Sequence, residues 1–157
     1  MITALDHVQL AAPPGTEPAL RAYYGEALGM TEIPKPASLA ANGGLWFRSG
    51  PVQLHLGIEK GFRPSAKAHP GIRVTAIDAF ATRLAEHGAR VIWDEQLPGH
   101  RRFYSEDPAG NRLEFLTSPD PHKAVHTDEH RVPYGTEAII PDGPAKGFVI
   151  GEVMVRR

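Results

Sequence analysis

Cysteine is absent from the 157 residues, which removes disulfides, thiolate nucleophiles and every Cys-ligated zinc or iron–sulfur site at once. Any metal must then be held by His, carboxylate or amide groups. An excess of charge of one sign is missing too: 17 Lys and Arg face 18 Asp and Glu, for a net charge of -1. With no basic block to grip a phosphate backbone, nucleic acid is not an expected partner. No apolar run approaches the roughly 18 residues that span a bilayer, and the stretch from Met1 to Asp6 lacks a basic start and a long hydrophobic continuation. The expectation is a cytoplasmic protein with no membrane contact. What the chain has instead is turn material, 16 Gly and 15 Pro, which implies short elements. Hydrophobic residues at 41% and charged residues at 22% are enough to close a core, and the length suits one domain with an appendage.

Leu5 to Ala11 alternates as a strand does and ends at Pro13-Pro14-Gly15. Thr16 then reads as a helix N-cap, with Leu20, Tyr23, Tyr24, Ala27 and Leu28 at helical spacing before Gly29. A Pro- and Ala-rich connection from Pro34 to Gly44 leads to two strands, 45–48 and 52–56, joined at Ser49-Gly50-Pro51. From His69 the order begins again. An extended run through Ile72-Arg73-Val74 precedes a helix carrying Ile77, Phe80, Ala81 and Leu84, followed by strands at 90–93, 102–104 and 112–116. The chain thus reads as α+β, with two tandem βαβββ modules over about residues 4–60 and 68–118 forming a cupped mixed sheet. Residues 1–118 make the domain, and 119–157 form a C-terminal extension.

The repeat can be tested by register. His7 and His69 open the first strands of the two modules, while His55 and Glu114 sit between apolar neighbours on the last strands. His55 follows His7 by 48 residues and Glu114 follows His69 by 45, a difference that loop variation accounts for. If the modules pack with pseudo-twofold symmetry, these four side chains meet on one concave face. Three imidazoles and a carboxylate make a competent set for a divalent metal. Zinc, iron, nickel, cobalt and manganese all suit such donors. The plainer alternative is four polar residues on a half-solvated sheet.

These residues resemble the vicinal oxygen chelate superfamily, which includes glyoxalase I, extradiol dioxygenases, fosfomycin-resistance enzymes and bleomycin-binding proteins. The resemblance spans about residues 4–117. Its most specific segment, Arg102-Phe103-Tyr104-Ser105-Glu106-Asp107-Pro108-Ala109-Gly110-Asn111-Arg112-Leu113-Glu114, is similar to the family's closing Asp-Pro-x-Gly-x-x-x-Glu hairpin, and Leu5-Asp6-His7-Val8 to its first metal strand. The resemblance implies metal on His7, His69 and Glu114, with a fourth ligand on the strand carrying His55. It also implies a small-molecule substrate gripped through two neighbouring oxygens, isomerase or lyase chemistry with Glu114 as an exchangeable ligand, and a homodimer. Tyr104 precedes Glu114 by ten residues, as in extradiol dioxygenases. The acid/base His of that signature is missing, since positions 95–97 are Glu95, Gln96 and Leu97. Glyoxalase-like chemistry is therefore the first expectation, and a metal-free binding protein of bleomycin-resistance type the alternative; a ring-cleaving dioxygenase comes after both.

Around this set, Tyr104 faces either the cup, as a donor to bound oxygen, or the core. Arg63 and Arg102, with Lys67 and Arg101, lie near strand ends and would either receive an anionic substrate or remain solvated loop charges. In the extension, His122, His126 and His130 recur every four residues, but Pro119, Pro121 and Pro133 bracket them and no apolar face supports a helix. Apolar islands at 138–140 and 148–150 suggest short strands covering a sheet edge or crossing to a partner subunit.

Overall fold

The computed structural model describes residues 1–119. The first module runs β1 (Val8–Ala12), α1 (Glu17–Leu20), β2 (Thr31–Ile33), α2 (Ala37–Ala40), β3 (Leu45–Ser49) and β4 (Val52–Ile58). Helix α1 opens with Pro18 in its first turn, where a missing N–H costs nothing. It continues as a π-helical stretch, Arg21–Ala27. The second module runs β5 (Gly71–Arg73), α3 (Ile77–Glu86), β6 (Ile92–Asp94), β7 (Arg102–Glu106) and β8 (Arg112–Leu116). The βαβββ order is thus present twice. Strand β2 comes from Thr31-Glu32-Ile33, a segment too short to show period-two alternation. The expected extension and its histidines lie outside the described residues.

Each module forms its own four-stranded mixed sheet, ordered β1-β4-β3-β2 and β5-β8-β7-β6. In both, the first strand pairs in parallel with the last, and the last pairs antiparallel with the one before it. The registers match as well. Gln9 lies opposite His55 and Trp46 opposite His55 in the first sheet; Gly71 and Tyr104 lie opposite Glu114 in the second. Two residues before Gln9 and Gly71 stand His7 and His69. His55 and Glu114 are therefore structurally equivalent, as the spacing predicts, and so are His7 and His69.

One apolar core serves both sheets. Leu45, Phe47, Leu54 and Leu56 of the first join Phe103, Leu113 and Phe115 of the second, with Tyr23, Tyr24 and Leu84 from the helices. The Tyr24 ring stacks on Phe47 at 5.3 Å while its hydroxyl donates to Asp107 at 2.9 Å. Strands laid edge to edge through β1 and β5 would hold β3 and β7 about 24 Å apart at ~4.8 Å per strand. A single tyrosine does not reach that far, so the sheets face each other across the core. His55 and Trp46, and Glu114, Tyr104 and Arg102, alternate with the core residues along their strands. They lie on the faces turned away from the shared core.

The buried Asp107 carboxylate fastens this arrangement. It accepts from the Ala109 and Asn111 backbone N–H groups, from Asn111 Nδ2 and from the Tyr24 hydroxyl. Asn111 Nδ2 also donates to the Ala11 carbonyl of β1. Tyr23 adds a second hydroxyl link, to Ser105 at 3.1 Å. Burial pushes both tyrosine hydroxyls well above their ordinary pKa, so they are protonated donors throughout the physiological range. Asp107→Ala, which strands these donors, is expected to cost about 3 kcal/mol in chemical denaturation, against about 1 kcal/mol for Tyr24→Phe.

Candidate functional site

The outer face of the second sheet carries an ordered run of charged groups. Asp94 on β6 accepts from Arg102 on β7, at 2.8 Å from Nε and 2.6 Å from Nη2. The remaining arm of Arg102, Nη1, donates to Glu114 Oε1 on β8 at 2.6 Å. Arg102, Asp94 and Glu114 are only 15%, 19% and 12% exposed, so these are sheltered, charge-assisted bonds. The Arg102 hydrogen bond holds the Asp94 carboxyl below its usual range.

The other Glu114 oxygen, Oε2, lies 3.4 Å from His69 Nε2. His69 Nδ1 is 2.7 Å from the Lys67 carbonyl, which requires a proton on Nδ1. In the neutral ring, Nε2 then turns a lone pair toward a carboxylate oxygen, a juxtaposition that needs a cation or a proton between the two. Gly71 flanks the spot: a Cβ there would lie 3.2 Å from Oε2, so the glycine keeps the carboxylate in place by offering no side chain. Tyr104 faces this site, not the core, with its ring edge-on to His69 at 5.4 Å.

The equivalent place in the first sheet is built differently. His55 is buried between Trp46, stacked at 4.0 Å, and His7, stacked at 4.2 Å. His55 Nε2 is buried with no hydrogen-bond partner among the described residues, a costly state for a polar nitrogen unless something binds there. Burial, followed by the neighbouring His7, holds the His55 imidazole below its ordinary pKa and hence neutral. His7 Nδ1 is 2.8 Å from Asp6.

The four expected ligands therefore come together as two pairs, not at one point. Among the described residues no three His, Asp or Glu side chains converge, and the two pairs sit on outward faces of opposed sheets. That corrects the expectation that one folded chain gathers all four, because the shared core lies between the faces. Arg102 is likewise not a free anion receiver, since Asp94 and Glu114 flank it, accept three of its five N–H donors and balance its charge. Arg63 is exposed in the loop between β4 and β5, and nothing among the described residues joins it to the site. Asp94 escaped the sequence reading as a site element; cross-strand register with Arg102 would have pointed to it.

His69 Nε2 and Glu114 Oε2 fit a divalent cation as two ligands of a larger set. His55 Nε2, unpartnered and stacked against His7, fits as another donor. Arg102→Gln removes the cation shared by two carboxylates and is expected to destabilise the fold by about 2 kcal/mol at neutral pH. Asp94 is stabilising above the ordinary carboxyl range and loses that role as pH falls through its depressed value. The stability gap between wild type and Asp94→Asn should therefore close below about pH 4 in acid titrations followed by circular dichroism.

Residues 15–116 match the glyoxalase-like domain family. Among solved structures, a glyoxalase family protein from Bacillus anthracis is 47% identical over 75% of this chain and 97% of its own, with a TM-score of 0.73. The fosfomycin resistance protein FosX from Listeria monocytogenes is 15% identical over 75% of this chain and 95% of its own, with a TM-score of 0.62. TnmS3, an antibiotic binding protein from Streptomyces sp. CB03234, is 22% identical over 75% and 99%, with a TM-score of 0.57. These last two share the fold alone. No curated protein matches the chain. With its two βαβββ modules and a family match over most of the described residues, the chain belongs to the glyoxalase-like family of the vicinal oxygen chelate superfamily.

Proposed function

We propose that the protein is a metal-assisted enzyme of isomerase or lyase type, acting on a small molecule held through two neighbouring oxygens. The observation that carries this reading is the His69–Glu114 apposition, in which the Lys67 carbonyl fixes the His69 tautomer and Arg102 reserves Oε2 for the site. His69 and Glu114 would supply one half of the ligand set. His7 and His55 of a second copy would supply the other, in a twofold dimer that set the first sheet of each copy against the second sheet of its partner. The ion, when bound, supplies Lewis-acid stabilisation of charge developing on the substrate oxygens.

The chain's own residues account for the rest. Glu114, acting as the exchangeable ligand, takes through Oε2 the proton of a hydroxyl-bearing carbon next to a carbonyl and returns it to the former carbonyl carbon, the hydroxyl proton passing to the former carbonyl oxygen. Arg102 keeps Oε1 occupied so that one carboxylate oxygen does this work. The Tyr104 hydroxyl donates to a substrate oxygen. Trp46 forms the opposite wall.

A second reading, metal-free binding of a drug or metabolite, is favoured by the Trp46–His55–His7 stack, which offers a flat aromatic surface. The antibiotic-binding neighbour illustrates that use of the fold. Elemental analysis separates the two. The enzyme reading expects about one zinc, iron, nickel, cobalt or manganese ion per chain in a protein that sediments as a dimer, and loss of that ion in His69→Ala. Metal-free dimer with undiminished ligand binding selects the second reading. Iron-loaded protein given catechol and oxygen should form no ring-cleavage product, since no His stands at 95–97.

A further inference from the structure

We infer that Arg112 and Tyr104 form a receiving site for an oxyanion on the substrate, a carboxylate or phosphate-type group, beside the reacting oxygens. This deepens the functional reading above and rests on it. Arg112 shares the outward face of β8 with Glu114, two residues away. Its guanidinium carbon lies 5.5 Å from the centre of the Tyr104 ring, whose other guanidinium neighbour, Arg102, is at 5.4 Å. The two cations are not equivalent. Arg102 is ion-paired on both sides, to Asp94 and Glu114, whereas Arg112 forms no ion pair among the described residues. Its cross-strand partner is Glu106, but that carboxylate is 4.0 Å from Arg90 instead. The Tyr104 hydroxyl also has no hydrogen-bond partner among the described residues.

A cavity of about 230 Å³ opens between these two groups, walled by Ile92, Ser105 and Glu106. It admits a small headgroup, not a large ring system. Charge leads to the same ligand. With Glu106 of the cavity wall and its neighbour Arg90 included, three carboxylates (Asp94, Glu106, Glu114) balance three guanidiniums (Arg90, Arg102, Arg112), so a divalent ion at His69 and Glu114 leaves two uncompensated positive charges. A ligand that chelates and carries its own anion neutralises them; a neutral diol does not. A guanidinium with free N–H donors and a phenol O–H are suited to adjacent oxygens of one oxyanion.

The test compares glycolate with its near-isosteric neutral amide, glycolamide, and adds inorganic phosphate as a second oxyanion. Glycolate, glycolamide and inorganic phosphate are titrated by calorimetry into the full chain, with and without zinc. Wild type should bind glycolate at least tenfold more tightly than glycolamide. Arg112→Gln should lose about tenfold or more in glycolate and phosphate affinity while glycolamide affinity and zinc content stay unchanged. Arg112→Lys should recover part of the loss, and Tyr104→Phe should lose a smaller share. Equal affinity for glycolate and glycolamide in wild type, or an Arg112→Gln variant that binds both anions normally, overturns the inference. If no zinc binds but phosphate affinity still depends on Arg112, the metal reading fails and the oxyanion site stands. If one zinc binds per chain and Arg112 is irrelevant, the reverse holds.

Discussion

The Asp107 carboxylate is taken out of water and surrounded by four donors, one of which, the Tyr24 hydroxyl, comes from the opposite module. Burying a carboxylate is expensive unless its lone pairs are satisfied. The turn 107–111 supplies three of the four donors locally, and the tyrosine completes the set only when the modules have docked. The same turn sends Asn111 to the Ala11 carbonyl of β1. Local turn chemistry and long-range docking are in this way one event, and the common core of Phe47, Phe103 and Phe115 closes around it.

That docking decides what the two candidate half-sites are able to do. Because the sheets meet through their apolar faces, their polar faces look outward, and each presents a finished fragment of a site. The fragments are related by register, His55 answering to Glu114 and Trp46 to Tyr104, yet they differ in physics. In the second sheet, a line of alternating charge from Asp94 through Arg102 to Glu114 orients the carboxylate by ion pairs. In the first, His55 is held by ring stacking, with a neutral imidazole whose Nε2 is left unpartnered. One half aims a charge and the other offers a lone pair.

Much of this was legible in the chain itself. Two offsets, His7 to His55 and His69 to Glu114, identified equivalent positions because strand register preserves parity whatever the loops do. The helix at Ile77–Glu86 and the strands around Leu54 and Leu113 followed from periodicity. Less was legible where a segment is too short to carry a period, as in β2, or where the backbone departs from regular helix, as at Arg21–Ala27. The partners of Arg102 were not legible either. Whether a strand arginine meets solvent, substrate or carboxylates depends on which residues stand opposite, and Asp94 and Glu114 come from strands on either side of β7.

The sequence by itself determined the two modules, the pairing of equivalent residues and which side chains share a face, because these depend on local alternation and turn chemistry. Only the tertiary structure decided how the faces are disposed. Alternation sorts residues into two sides of a sheet but does not say how two sheets meet. The reach of Tyr24, from Phe47 to Asp107, shows them meeting core to core, which is why four candidate ligands in one chain stand as two pairs.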